Sequence, residues 1–237
     1  MAEVELAADD RRARHLREVL RAQPGQVVRA GAIRGRTGRA EVLAASEGRV
    51  RLRVALDRPS CPRPPVDLVL AVPRPKVLPR ALETAASFGV GRIDLVNAWR
   101  VDRSYLGSPR LGGAELTAAL RLGCEQGATT WVPEVELHPL LVPFLRAAPA
   151  RWAGATHRVI AHPRAGASIE TVIRSGPPAA TVIAIGPEGG WIERELESFA
   201  ALGFTPVSIG VPVLRVDAAV AAILAQVQLL HRLGPGE

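Results

Sequence analysis

Two hydrophobic periods divide the chain. In its first quarter apolar and polar residues alternate, in "GQVVRAGA" (25–32), "GRAEVLAASEG" (38–48) and "RVRLRVALD" (49–57). A period of two predicts short antiparallel strands, one face buried and one wet. Before them, "DDRRARHLREVLR" (9–21) has helical spacing that puts Leu16, Val19 and Leu20 on one face and most arginines on the others. Residues 1 to 58 therefore read as a small β-barrel or β-sandwich carrying one helix. Pro59, Pro62, Pro64 and Pro65 mark a linker. Beyond it the strands become continuous apolar runs: 66–72, 92–98, 130–135, 157–162, 181–186 and 205–210. Helical segments fall at about 76–89, 113–126, 138–147, 168–175, 192–202 and 216–232. Strands alternating with helices predict a parallel α/β sheet. The expected domains are 1–65 and 66–237.

Ligands of such sheets sit beyond the carboxyl ends of the strands. Three of those ends are unusual: "AHPRAG" from residue 161, "IGPEGG" from 185 and "IGVPVLRVDAA" from 209. The second is glycine-rich like a phosphate loop, but it has neither P-loop nor Rossmann spacing and no lysine nearby. Its Glu188 would repel a pyrophosphate. A carboxylate beside bare backbone suits a neutral or cationic ligand, such as a sulfonium, an amino group or an adenine edge. The alternative is a tight turn bearing a solvated acid.

Composition narrows the class. With 48% hydrophobic residues among 237 the chain is globular, and its formal charge is +7. Lys76 is the only lysine, so the excess is arginine, whose planar fork suits a polyanionic partner. Cys61 and Cys124 lack zinc or disulfide spacing, which points to a reducing cytoplasm. The N-terminus has no signal-peptide core. "AAVAAILAQVQLL" (218–230) is too short to span a bilayer and reads as a buried or interface helix. No membrane association is expected.

Residues 185 to 223, "IGPEGGWIERELESFAALGFTPVSIGVPVLRVDAAVAAI", resemble the C-terminal signature of the RsmE family of rRNA uridine N3-methyltransferases. "HLREVLRAQPGQVV" (15–28), "RVDRS" (100–104) and "CEQGATTWVPEV" (124–135) are similar to further family segments in the same order. The resemblance implies an N-terminal PUA-like β-barrel domain for RNA and a C-terminal SPOUT domain with a trefoil knot. It also implies a homodimer that uses S-adenosylmethionine, yields S-adenosylhomocysteine and methylates N3 of a uridine in 16S rRNA of the small ribosomal subunit. By position, the cofactor would lie among His162 and Pro163, then Gly186, Pro187, Glu188, Gly189 and Gly190, then Ile209, Gly210, Val213 and Leu214. Arg215 would stabilise charge on the uracil oxygens, and Asp217 would orient Arg215 or help remove the N3 proton. The alternative pairs Arg215 with Asp217 as a structural ion pair.

The chain departs from the family pattern at several places. Pro212 stands for an arginine, Asp217-Ala218 for Glu-Thr, Thr129 for an arginine and Ile192 for a serine; the stretch after Lys76 matches only loosely. These departures motivate a second reading: an RNA-binding or ribosome-assembly paralogue with weak or altered activity. RNA contacts are expected from Arg14, Arg17 and Arg21 on the first helix, Arg34 and Arg36 on a hairpin, and Arg103. Aromatics make up only 4% of the chain, which gives base stacking no support. No metal site is expected, because neither His15 nor His162 has a second ligand at helical spacing.

Overall fold

Residues 1–46, 48–173 and 176–233 are described by the computed structural model, and they divide into two compact units. One unit holds Met1–Pro62 together with Thr129–Trp131; the other holds Arg63–Ala128 and the chain from Val132 on.

The first unit is an antiparallel sheet of β1 (Ala2–Ala7), β2 (Val27–Gly31), β3 (Arg36–Ala45) and β4 (Arg49–Ser60), in the order β1-β4-β3-β2. The alternating pattern sends Ala40, Val42, Val50 and Leu52 inward, where they pack with Leu6 of β1. Arg39, Arg51 and Arg53 face out. β1 was not among the expected strands, because it contributes a single buried residue and its signal is weak. Gly38 marks a close strand crossing: a Cβ there would lie 1.9 Å from the Ala55 carbonyl oxygen. Pro59 belongs to β4 and not to a linker. Arg36 pairs with Ser60 and Thr37 with Arg58, so Pro59 falls at a bulge, where its missing N–H breaks no ladder bond.

The helix of this unit begins as α1 (Arg11–Arg14), capped by Asp10 accepting from the Arg12 N–H at 2.8 Å, and widens into a π-helical turn over His15–Val19. The widening rotates the later residues off the expected face. Leu16 is buried, with Ala13 one turn earlier, but Val19 is 67% exposed and Leu20 is 44% exposed. The expected stripe of Leu16, Val19 and Leu20 is therefore corrected to Ala13 and Leu16.

The second unit is a six-stranded parallel sheet: β5 (Val66–Ala71), β6 (Arg92–Val96), β7 (Glu134–His138), β8 (His157–Ala161), β9 (Thr181–Ile185) and β10 (Thr205–Val207). Its order is β10-β8-β9-β5-β6-β7. The central β9 is buried at every position, as its unbroken apolar run requires. The covering helices are α2 (Leu78–Ser87), α3 (Arg103–Leu106), α4 (Gly113–Gln126), α5 (Leu141–Arg151), α6 (Ile169–Val172), α7 (Glu193–Ala200) and α8 (Val216–Arg232). α8 buries Val216, Val220, Ile223, Leu224 and Val227, one stripe at helical spacing.

One strand is displaced from its expected position. "TWVPEV" (130–135) reads as a strand, but β7 starts at Glu134. Thr129–Trp131 packs with the first unit, where the Thr130 hydroxyl donates to the Gly35 carbonyl at 3.0 Å and its carbonyl accepts from Arg34 at 2.7 Å. Pro133 then lacks a ladder donor, so pairing begins after it. The following helix moves with it, to Leu141–Arg151 instead of 138–147. Of the helix expected at 168–175, Ile169–Val172 forms; residues 174 and 175 lie outside the described residues.

The scarce aromatics have a structural role. Trp191, Phe199, Phe204, Trp152 and Phe144 form a row of ring contacts through the core, with centroids 5.0 to 5.7 Å apart.

Candidate active site

Because every strand of the second unit runs the same way, the loops after β5, β6, β8, β9 and β10 emerge on one edge of the sheet. The three loops singled out by sequence follow β8, β9 and β10. β8 lies between the other two strands, so sheet order alone brings these loops together.

The loop after β9 is fixed from several sides. Gly186 lies against the buried Trp191 indole: a Cβ there would come within 3.1 Å of Nε1. That indole nitrogen is buried and has no hydrogen-bond partner. Pro187 is buried, and its carbonyl accepts from the Gly190 N–H at 2.8 Å to close a turn. Gly190 has φ +72°, and nothing lies within 4 Å of where its side chain would start. Glycine supplies both the conformation and the bare backbone there. The Glu188 carboxylate accepts from the Arg74 N–H at 3.0 Å, tethering this loop to the one after β5. The carboxylate expected to face a sulfonium thus makes a structural bond. Arg100, after β6, donates to the Gly189 carbonyl at 2.6 Å.

Glu195 anchors more of the site than its place in the sequence indicates. It reads as an acid favoured at the start of a helix, and its side chain does accept from the Ile192 N–H at 3.0 Å. It is also buried, and its other oxygen accepts from the Trp99 N–H at 2.7 Å. One carboxylate therefore anchors both the α7 start and the loop after β6. Only the fold reveals this, because 96 residues separate the partners.

The loops after β8 and β10 meet directly. The His162 N–H donates to Val207 at 3.0 Å, and the Ile169 N–H to Ser208 at 3.2 Å. The His162 ring accepts from the Arg164 N–H at 3.3 Å, and Pro163 is exposed. Gln226 of α8 donates to the Ile209 carbonyl at 2.8 Å. A cleft of about 740 Å³ opens here, lined by Pro163, Ile209, Gly210, Val211 and Gln226 among others. Its size suits a small organic ligand. Gly186 to Gly190, Val213 and Leu214 are not among its lining residues. Val211 is 97% exposed and Val213 79%.

Arg215 is the exposed cap residue of α8. Asp217, in the first turn, is paired with Arg80 of α2 at 3.8 Å. The ion pair that competed with a functional reading of Arg215 thus goes to another arginine.

The arginines expected to touch RNA differ in their freedom. Arg14, Arg21 and Arg36 are exposed, and Arg103 opens α3. Arg17 donates to the carbonyls of Ala8 and Ser46, so its guanidinium braces the first unit. Arg34 stacks over Trp131 at 5.0 Å, which holds the cation in place.

Elsewhere, Asp94, Glu136 and His138 bring ligand-type atoms within 4.8 Å of one another. Arg92 and Arg151 both bond to Asp94 and Glu136, so a metal ion would meet two guanidiniums. The Arg151 guanidinium holds the Glu136 carboxyl below its ordinary range. This cluster ties the edge strand β7 to β6 and α5.

The match to known families follows these two units. The family model described as RNA methyltransferase domain covers residues 60–228, and that of the RNA methyltransferase PUA domain covers residues 8–55. A ribosomal RNA small subunit methyltransferase E of Treponema pallidum is 30% identical over 94% of this chain and 84% of its own length. Its counterpart in Mycobacterium bovis is 32% identical over 91% and 83%. A solved ribosomal RNA small subunit methyltransferase E from Neisseria gonorrhoeae, bound to S-adenosyl methionine, superposes with a TM-score of 0.75. It covers 97% of this chain and 92% of its own at 22% identity, a likeness of fold. The chain belongs to the RsmE family of RNA methyltransferases.

Proposed function

We propose that this protein transfers a methyl group from S-adenosylmethionine to N3 of a specific uridine in small-subunit (16S) rRNA. The observation that carries the reading is that the loops after β8, β9 and β10 leave the same sheet edge from neighbouring strands in a chain of this family. Three local features fit the methyl donor: the open space at Gly190, the unpartnered indole N–H beneath Gly186, and the cleft beside Ile209. His162, Pro163, Gly186 to Gly190, Ile209, Gly210, Val213 and Leu214 would hold it. When bound, it supplies an electrophilic methyl group on a sulfonium.

The chain's own part is to present the base and manage charge. Uracil N3 carries its proton at neutral pH and lies in the Watson–Crick edge, so an unpaired or flipped uridine is required. Loss of that proton puts negative charge on the ring oxygens, which the exposed Arg215 guanidinium stabilises. Asp217, fixed by Arg80, is the adjacent acid for orienting Arg215 or accepting the proton. Arg14, Arg21, Arg34, Arg36 and Arg103 hold phosphates, so RNA affinity should fall steeply with salt. The uncovered Val211 and Val213 support a homodimer, and Cys61 and Cys124, which are not joined in a disulfide, fit a cytoplasmic setting. Among the described residues no helix is long and apolar enough to cross a membrane.

The test is to incubate the protein with S-adenosylmethionine and small ribosomal subunits from a strain deleted for its gene, then digest the rRNA for mass spectrometry. One N3-methyluridine should appear. Subunit binding without that product would favour the assembly-protein reading, for which Thr129 and Pro212, the latter in the exposed loop after β10, are the motive.

A further inference from the structure

Trp99 is the one large aromatic side chain left open among the described residues, with 79% of its surface exposed. Five other aromatics are buried in the row of rings, Phe88 and Tyr105 are partly buried against the core, and Trp131 of the first unit lies beneath Arg34. An indole in water forgoes the largest burial gain any side chain offers, and this one stands in a loop bonded to the loop after β9. Its backbone, in contrast, is fixed. Trp99 donates its N–H to the buried Glu195 carboxylate at 2.7 Å, and the next residue, Arg100, bonds to Gly189 of the loop after β9. The ring is therefore held out at the sheet edge beside the candidate active site. On the chain it stands between two buried residues, Ala98 and Val101, and Arg100, so it belongs to no apolar run.

The charges on the adjoining loops are mainly positive and exposed: Arg74 and Lys76 after β5, Arg100 and Arg103 after β6. Of the acids there, Glu188 accepts from the Arg74 N–H and Asp102 caps α3 through Ser104; Glu193 sits at the start of α7. An exposed aromatic face in a loop that also carries exposed arginines has the chemistry that holds a nucleobase between its phosphates.

We propose that Trp99 is a stacking platform for one base of the RNA substrate, with Arg74, Arg100 and Arg103 holding the flanking phosphates. The inference rests on RNA being the substrate, as argued above. Stacking accepts any base, so Trp99 would hold and orient the strand rather than select the uridine.

Trp99→Ala and Trp99→Phe decide the matter. Fluorescence anisotropy with labelled oligouridylate measures RNA affinity without turnover, and small subunits supply KM. Trp99→Ala should weaken oligouridylate binding and raise the subunit KM by about tenfold to a hundredfold. Trp99→Phe should recover most of both, and S-adenosylhomocysteine affinity should stay at the wild-type value in each variant. Unchanged RNA affinity in Trp99→Ala overturns the inference, as does a parallel loss of S-adenosylhomocysteine affinity, which would mark a structural role. Dissociation of a dimer in Trp99→Ala also overturns it, since a second copy would then cover the indole. If RNA binding depends on Trp99 and the wild type makes no N3-methyluridine, the methyltransferase reading falls and the stacking role stands.

Discussion

The loops after β9 and β10 are both assigned to the methyl donor, and they are built in opposite ways. The loop after β9 is bound to its surroundings by Glu188 to Arg74, Gly189 to Arg100 and, just beyond, Glu195 to Trp99, with the Trp191 ring beneath it. The loop after β10 is tethered at its start, where Ser208 bonds to Ala167 and Ile169 and the Gln226 amide to Ile209, and then runs exposed through Val211 to Arg215. Preorganised donors and bare backbone belong where a ligand must be met without rearrangement. An exposed apolar stretch belongs where a further surface completes the site. We assign the rigid loop the cofactor's fixed contacts and the open one cofactor contacts that tighten when a further surface completes the site.

The largest effect that would break this contrast is at Gly190. Gly190→Arg should reduce S-adenosylhomocysteine affinity by more than about a hundredfold, read by calorimetry, because the side chain enters the space left open over the turn. The positive φ adds strain of about 1–2 kcal/mol, which Gly190→Ala reports alone. Equal affinity in Gly190→Arg would mean that the rigid loop is no cradle.

The second effect is on stability. Glu195→Ala removes a buried carboxylate that satisfies two backbone N–H groups, those of Trp99 and Ile192. Leaving both donors without a partner should cost about 2–4 kcal/mol in urea unfolding. If the loss is under about 1 kcal/mol, water replaces the carboxylate and the loop after β9 is no stiffer than its neighbour.

The contrast between the loops also marks what the sequence could reveal. The period of two and the unbroken apolar runs locate both sheets, because burial on one face or both is written in residue order. The same reading shows "IGPEGG" as special, since a glycine-rich strand end is a local signal. What joins it to the rest is not local. Arg74 lies 114 residues from Glu188, and Arg100 lies 89 from Gly189, so pattern along the chain cannot pair them. The displaced β7 has the same cause: "TWV" has strand character, and only packing with the first unit, through Thr130, removes it from the second sheet. Val19 fails differently. Its position on the helix was correct for an α-helix, and a π-turn changed the period beneath it.

The smallest effect is the sharpest probe of the open loop. Gln226 is half-buried on α8, and its amide donates to the Ile209 carbonyl at 2.8 Å, on the wall of the cleft. Its partner is a backbone acceptor of the loop and not a ligand, so its action on binding is indirect. Gln226→Ala should lower stability by about 1 kcal/mol, the worth of one net hydrogen bond. A rigid loop would pass only a small part of that on to the ligand. A loop tethered only at its start should pass on most of it, so S-adenosylhomocysteine affinity should fall about threefold to tenfold. Gln226→Glu separates geometry from charge: it keeps the reach but sets a carboxylate against the carbonyl, and it should bind no better than Gln226→Ala. Gln226→His keeps a donor and should recover part of the affinity. If Gln226→Ala leaves affinity unchanged while stability falls by the expected amount, the loop after β10 holds its shape without the tether and the two loops are alike in stiffness.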